Sequence, residues 1–504
     1  MQEKPKYENP SCNQDMTFEE CELAILRQAV DETEKLQQEK KIANSQEVQN
    51  MIAIVEKFII DRRCICYGGT AINNILPKHA QFYNREIEIP DYDFFSPNAL
   101  RDAKALADIF FAAGYEDVEA KAGVHLGTFK VFVNFIPMAD ITEMHPKLFR
   151  MIGKEAITIR GIQYAPPNLL RLSMFAELSR PSGDVSRWEK VLKRLILLNK
   201  YYPLQTEGKS DCQTVDFQRK MESNVEESEK IYFTIRDAFI DEEVVFFGGY
   251  ASTFYSEYMP AEQKRLIKKI PDFDVLSEDP AATAAFVKER LEKAGISLKV
   301  SIVHHKEVGE LIPESIEILV GKETVAFIYK PIACHNYNIV EIDNGTNQGT
   351  DKGKDKVRIA TIDTMLSFYL AFLYADVNYY YKDRILCMAK FLFEVEEKNR
   401  LTQKGVLKRF SIDCYGKQPT LESMRMEKSE MFEKLKDKKG TEEHDRWFLK
   451  YSPKTNGPIK RLDIIQPRLH RRTRVNQKPN RKTKKRATSS TRNLLRKMFS
   501  FTRK

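Results

Sequence analysis

The apolar positions of this chain change period several times between residues 46 and 200, and each change marks an element. From Gln46 to Asp61 they recur every three or four residues, the spacing of a helix with one buried face. A short Cys-rich strand follows around Cys64 and Cys66. A helix is predicted from Pro97 to Ala113, then strands near Val118 and over Phe129–Ile136, where apolar residues alternate. Two short alternating runs, Ala156–Ile159 and Ile162–Tyr164, read as a strand pair. Pro166-Pro167 breaks the chain, and helices are predicted over Asn168–Leu178 and Val185–Leu198. Upstream, Thr17 is placed to cap a helix running to Lys41, with Glu19 and Glu20 in its first turn. Its thin apolar face suits a solvated lever or a docking helix rather than a core helix.

The pattern then occurs a second time. Val245-Phe246-Phe247-Gly248-Gly249-Tyr250-Ala251 echoes Cys66-Tyr67-Gly68-Gly69-Thr70-Ala71, and Ile270-Pro271-Asp272-Phe273-Asp274-Val275 echoes Ile89-Pro90-Asp91-Tyr92-Asp93-Phe94. The predicted helix Ala281–Ala294 and Gly295 mirror the helix before Gly114. Thr324–Ala333 aligns with Lys130–Ala139, which sets Cys334 opposite Asp140, and Arg358–Ala375 and Tyr381–Phe393 repeat the two closing helices. Self-similarity over this length indicates two copies of one fold.

The repeated stretch also carries the candidate chemistry. Gly68 and Gly69 allow close backbone approach, and the helix opening at Thr70 presents free N–H groups suited to a phosphate. On a strand, Asp91 and Asp93 share a face while Tyr92 points away. Two carboxylates held that close repel unless a cation lies between them, and hard divalent ions take such oxygens. Taken alone, the glycines would be a loop and the acids a surface turn. Found in order, with a helix between, they read as a metal clamp beside a phosphate cradle.

Composition adds limits. The 504 residues exceed what one core organises, so two or three domains are expected. The longest apolar run, Met365–Ala375, is too short to span a membrane, and the first residues show no apolar signal region. Eight scattered cysteines without a C-x-x-C pair point to neither a zinc site nor a disulfide frame, and to a reduced setting. The net charge of +9 is unevenly placed: Arg471–Lys504 holds fourteen basic residues and no acid, leaving 67 basic against 72 acidic residues before it. That tail is either a solubilising or sorting segment or an arm on a nucleic-acid backbone.

The order Gly-Gly-Thr, helix, Asp-x-Asp resembles the nucleotidyltransferase superfamily. The resemblance implies an α+β fold, here a tandem duplication of a polymerase-β-like mixed sheet with flanking helices and a basic tail. It divides the chain into residues 1–45 (polar segment and helix), 46–210 (catalytic), 211–400 (a degenerate second copy), 401–470 (charged extension) and 471–504 (tail). It makes Asp140 the third metal carboxylate with Asp91 and Asp93, for Mg²⁺ or Mn²⁺. It places a triphosphate on Gly68, Gly69 and Thr70, with Arg187 and Lys190 as further nucleotide-binding candidates, although Arg187, Lys190, Lys193 and Arg194 also suit a plain solvated basic face. The second copy has Tyr250 for Thr70 and lacks the third acid; a thiol at Cys334 is a poor ligand for a hard cation.

Gly-Gly-Thr-Ala-Ile-Asn-Asn, Pro-Asp-Tyr-Asp-Phe-Phe, Val-Asn-Phe-Ile-Pro-Met-Ala-Asp-Ile-Thr and Ser186-Arg187-Trp188-Glu189-Lys190 together look like the poly(A) polymerase catalytic subunits of large cytoplasmic DNA viruses. The giant-virus members are nearer than the poxvirus ones. That likeness, over about residues 50–400, implies template-independent addition of AMP from ATP to mRNA 3′ ends. It also implies a homodimer, and action in a cytoplasmic viral factory with packaging in the virion as a further option. A CCA-adding, uridylyl or oligoadenylate-type transferase, or an inactive RNA-binding scaffold, are the alternatives.

Overall fold

The computed structural model describes residues 9–457 apart from 14, 42–45, 84–88, 206–211, 213–224, 266–270, 310, 344–353 and 376–380. The basic tail expected over 471–504, the first eight residues and the end of the charged extension lie outside the described residues.

Sixteen strands are described: β1 (Ile65–Cys66), β2 (Asp93–Ser96), β3 (Val118–Ala122), β4 (Thr128–Val133), β5 (Ile136–Glu143), β6 (Ile157–Ile159), β7 (Ile162–Tyr164), β8 (Val245–Phe247), β9 (Phe273–Leu276), β10 (Val300–His305), β11 (Ser315–Val320), β12 (Glu323–Tyr329), β13 (His335–Asp343), β14 (Lys354–Ala360), β15 (Cys414–Tyr415) and β16 (Lys450–Tyr451). They form two mixed sheets, β16-β3-β4-β5-β2-β1-β7-β6 and β10-β11-β12-β9-β8-β14-β13-β15. Seven strands of the first sheet match seven of the second in order. Each direction matches too: β2–β5 and β9–β12 are parallel, as are β1–β7 and β8–β14, and the other matched pairs are antiparallel. The fold is α+β, with the sequence repeat present strand for strand.

Apolar alternation explains the layers. In β4 the pattern buries Phe129, Val131 and Val133 and leaves Thr128, Lys130 and Phe132 on the other face. The helix Ala99–Ala112 covers the buried face with Ala103, Leu106 and Phe110, and Gln46–Arg62 adds Met51, Val55, Phe58 and Ile59. The closing helices of the two halves, Pro167–Leu178 and Ile362–Phe372, pack on each other. Asn336 N–H donates to the Ser179 carbonyl at 2.8 Å, which ties the start of β13 to the end of the first helix.

Three expectations need correction. The strand predicted over Phe129–Ile136 is two strands, because Asn134 and Phe135 adopt φ of 50° and 66° and turn the chain. No glycine signals that turn. Residues 354–360 are strand rather than the start of a helix, which begins at Ile362 with Thr361 as its cap. The charged extension, described to residue 457, is a strap that ties both sheets: β15 pairs with β13 and β16 with β3, while Lys104–Asp445 (2.5 Å) and Arg446–Glu143 add ion pairs. The cysteines do form disulfides, Cys12–Cys21, Cys212–Cys387 and Cys334–Cys414. The last two join residues 175 and 80 apart in sequence, so only the fold brings their Cα atoms to 5.4 and 5.2 Å. Cys64 and Cys66 remain free and buried. Among the described residues no helix is long and apolar enough to cross a membrane.

Candidate active site

The site forms at one end of the first sheet, where β1 turns into the helix Gly68–Ile75. Gly68 has φ of +70°, and a Cβ there would lie 2.7 Å from Asp93 Oδ2, so glycine is required twice over. Tyr67 N–H donates to the Asp93 carbonyl at 2.9 Å and locks the turn against β2. A Cβ on Gly69 would meet Tyr83 Oη at 2.5 Å and the Arg194 guanidinium at 2.9 Å. The helix start is therefore faced by a cation. Thr70 is buried and its hydroxyl donates to the Asp91 carbonyl at 2.6 Å; it fixes the acidic strand rather than facing a ligand with that group.

The expected alternation holds at the acids. Tyr92 is buried and its hydroxyl donates to Glu56, whereas Asp91 is exposed and Asp93 half-buried on the other side. The parallel β2–β5 ladder sets Asp93 opposite Asp140, and Asp140 N–H donates to the Tyr92 carbonyl at 3.0 Å. Three carboxylates from separate sequence positions thus reach one sheet end. Burial, then the charges of Asp91 and Asp140, push the Asp93 carboxyl up to about 7, against the opposing pull of Lys130 and Arg187. Burial and Asp140 raise Asp91 as well, opposed by Lys130, Lys190 and Arg194.

Of the nucleotide-binding candidates, Lys190 faces Asp91, and Arg187 faces Asp93 while pairing with Glu177 at 2.9 Å. Lys193 pairs with Glu189 on the outer side. Two cations at the site were not singled out from sequence. Lys130 lies opposite Asp140 in the β4–β5 ladder and its ammonium contacts that carboxylate. Arg194 donates to Tyr83 Oη at 2.5 Å and lies over the Phe82 and Tyr83 rings. The signal for Arg194 was present: 187, 190 and 194 lie at helical spacing on one face, with 193 off it. For Lys130 the signal was its strand register, which the hidden turn at Asn134 obscured.

The second copy has a closed version of this place. Gly248 has φ of +67° and its free space is taken by the Asp274 carboxylate, and Asp272 Oδ1 lies 2.8 Å from where a Cβ on Gly249 would be. Both acids are buried. The residue opposite Asp274 in the parallel ladder is Phe327, not Cys334. The alignment that set Cys334 against Asp140 is therefore one strand out of step: β12 is the counterpart of β5, and β10 and β11 stand for β3 and β4. Two apolar strands of similar period align equally well by sequence. The loss of the third acid stands, with a phenyl ring in its place, and Cys334 is in a disulfide.

Residues 53–184 match the family model described as the poly(A) polymerase catalytic subunit. This interval contains the glycine pair and all three acids. A protein of African swine fever virus, Badajoz strain, named as a poly(A) polymerase catalytic subunit, is 34% identical over 172 residues, which take in 33% of this chain and 36% of that protein. The match thus spans little more than a third of that relative's length. A protein of Acanthamoeba polyphaga mimivirus with the same naming is 24% identical over 435 residues, 78% of this chain and 71% of the other. Among solved structures, the crystal structure of the Megavirus polyadenylate synthase superposes with a TM-score of 0.67 at 20% identity, covering 89% of this chain and 88% of that one. The two-sheet fold is shared with that protein, and the likeness read from the motifs is borne out by the family match over residues 53–184.

Proposed function

We propose that this chain is a template-independent poly(A) polymerase, adding AMP from ATP to the 3′ end of RNA, with residues 46–210 catalytic and 211–400 a degenerate partner half. The observation that carries the reading is the Asp93–Asp140 register, with Asp91 beside it and a glycine-opened helix start faced by Arg194. Its further parts are the viral mRNA substrate, a homodimer, and action in the cytoplasmic viral factory.

The donor set suits Mg²⁺ or Mn²⁺: three hard carboxylates, one of them, Asp93, pushed up to about 7 by burial and then by the charges of the other two. As they stand, no three acidic, imidazole or thiol groups among the described residues are grouped to hold an ion. The Lys130 ammonium lies on Asp140, where a cation would sit, and it must move aside for Asp140 to join Asp91 and Asp93. Bound there, the metal pair would lower the pKa of the attacking hydroxyl and neutralise the leaving phosphates. The chain's own groups do the rest. Gly68 and Gly69 let the helix start pack closely against Asp93, Tyr83 and Arg194, and Arg194 and Lys190 supply positive charge there for phosphate oxygens. Asp140, freed from Lys130, orients the 3′-hydroxyl of the primer.

The test is extension of an RNA primer with each of the four nucleoside triphosphates in turn. ATP should give a ladder, and an Asp91→Ala, Asp93→Ala double variant should lose at least ~10³-fold in rate with its fold intact. Normal extension by that variant would refute the assignment.

A further inference from the structure

The two sheets have four outer edges, and three of them are short. β16 and β15 have two residues each and β6 has three, lengths that offer little for another strand to pair with. The fourth, β10, runs for six residues; it pairs with β11 on one side and has no strand on the other among the described residues. Its counterpart in the first sheet, β3, has that outer side covered by β16. The devices that usually blunt such an edge are missing from β10. It holds no proline and no lysine, and its register with β11 has no bulge.

The direction of the free backbone groups follows from the ladder. Gly321 N–H donates to the Lys299 carbonyl at 2.9 Å, so these two are a hydrogen-bonded pair one step beyond Val300 and Val320. Antiparallel pairs alternate in bonding. Ser301, Val303 and His305 therefore bond inward to β11, and Val300, Ile302 and His304 turn their N–H and C=O groups outward. Side chains alternate as well. Ser301, Val303 and His305 lie on the face that carries Glu317, where Val303 is 40% exposed. Lys299 precedes the strand and Glu307 lies two residues past its end. Both are exposed, both share the parity of Val303, and no ion pair engages either among the described residues.

We propose that β10 is the dimer interface, pairing antiparallel with β10 of a second copy across a two-fold axis at Val303. In that register the outward groups of Ile302 and His304 bond to those of His304 and Ile302 in the second copy. Val303 meets its own equivalent on the axis, and Ser301 faces His305. Lys299 falls opposite Glu307, and the two-fold repeats that pair at the other end. The register centred on Ile302 uses the same outward groups but sets Lys299 against His305 and Glu307 against Ser297. Charge therefore selects the first register. A strand with a cation at one end and an anion at the other is complementary to itself run backwards, and this is what commits the edge to a second copy. The second sheets of the two copies then form one continuous sheet. The inference deepens the homodimer of the proposed function by naming its surface. It rests on that reading for the presence of a second copy and not for any catalytic step.

The test is sedimentation velocity of the full chain over a dilution series. The wild-type chain should pass from monomer to dimer as its concentration rises. His304→Pro removes an outward N–H and no bond to β11, so this variant should fold and stay monomeric. Lys299→Glu and Glu307→Lys should each weaken the dimer ~10-fold, because two symmetric pairs turn repulsive at once. The double variant carrying both changes should regain the wild-type affinity. These two positions are exposed, so the charge variants keep the test decisive should the proline prevent folding. A wild-type chain that is monomeric throughout overturns the proposal. So does a dimer that persists in folded His304→Pro, or a double variant no tighter than the single ones. Addition of a single nucleotide to a primer separates this from the catalytic reading. It should persist in monomeric His304→Pro; its absence from both proteins would sink the polymerase reading and leave the interface standing.

Discussion

His335 is 1% exposed, with neither ring nitrogen bonded within the described residues and Arg180 adjacent. Burial, then that arginine, push its pKa down to about 3. The unfolded chain takes up the proton near 6.5 and the folded chain does not, so acidification favours unfolding. The stability that His335 retains at neutral pH is thus lost as the pH falls from about 6.5 toward 3. Between pH 7 and pH 5 this one group should reduce stability by about 2 kcal/mol. Denaturant unfolding across that interval should show a shallower pH slope in His335→Gln than in the wild-type chain. Identical slopes would mean that the imidazole is protonated in the fold. At the same scale, Asp91, Asp93 and the glycine pair could be read directly, because each rests on a local rule: alternation on a strand, or a turn that no side chain fits. Lys130 and Arg194 depend on which side chains the completed sheet and helix bring to the acids, and residue type alone does not carry that.

Among the elements, the helix Ile362–Phe372 depends on a residue from the strap. Arg409 reaches both oxygens of Asp363 at 2.7 Å and Glu396 at 2.5 Å, and all three side chains are largely buried. Removing the cation leaves two carboxylates uncompensated in the interior. Arg409→Met should therefore cost about 3–5 kcal/mol, measured by denaturant unfolding. A loss below about 1 kcal/mol would show that water reaches the pair. Helices were legible in sequence wherever one apolar face was continuous, as from Gln46 to Arg62. Strand assignment failed at Asn134-Phe135, where the turn has no glycine or proline, and at the second copy, where β12 was matched to β4 rather than β5. In both cases the period was read correctly and the partner strand was not, because pairing is decided by residues far away in the chain.

For the whole molecule, the repeat itself was legible, since the glycine pair and the Asp-x-Asp strand recur at nearly matching spacing. The disulfides and the return of the strap to the first sheet were not, as no local pattern signals that residues 341 apart, such as Lys104 and Asp445, will meet. The fourteen basic residues of 471–504 make a prediction from charge alone. If they bind single-stranded RNA, each phosphate they neutralise should add about 0.7 to the steepness of log affinity against log salt. Truncation at His470 should remove that share of the slope. The fall in affinity on truncation should shrink at high salt, and single-nucleotide addition at saturating primer should hardly change. Parallel binding curves for the two proteins would assign the tail to targeting or packaging.

The pairing of β16 with β3 has a consequence for biosynthesis. During translation β3 leaves the ribosome with one edge bare, and the segment that covers it is made hundreds of residues later. At about 5–20 residues per second, the interval between Lys104 and Asp445, 341 positions apart, takes roughly 20 to 70 s. For that time the first half is a nascent domain with an open strand, the kind of edge that recruits other chains. Stalled chains ending near residue 440 should therefore associate through that edge or be retained by chaperones, and chains ending at 457 should be released as discrete particles. Sedimentation of ribosome-released products of the two lengths distinguishes these outcomes. Equal sedimentation would mean that the bare edge is protected by something other than the strap.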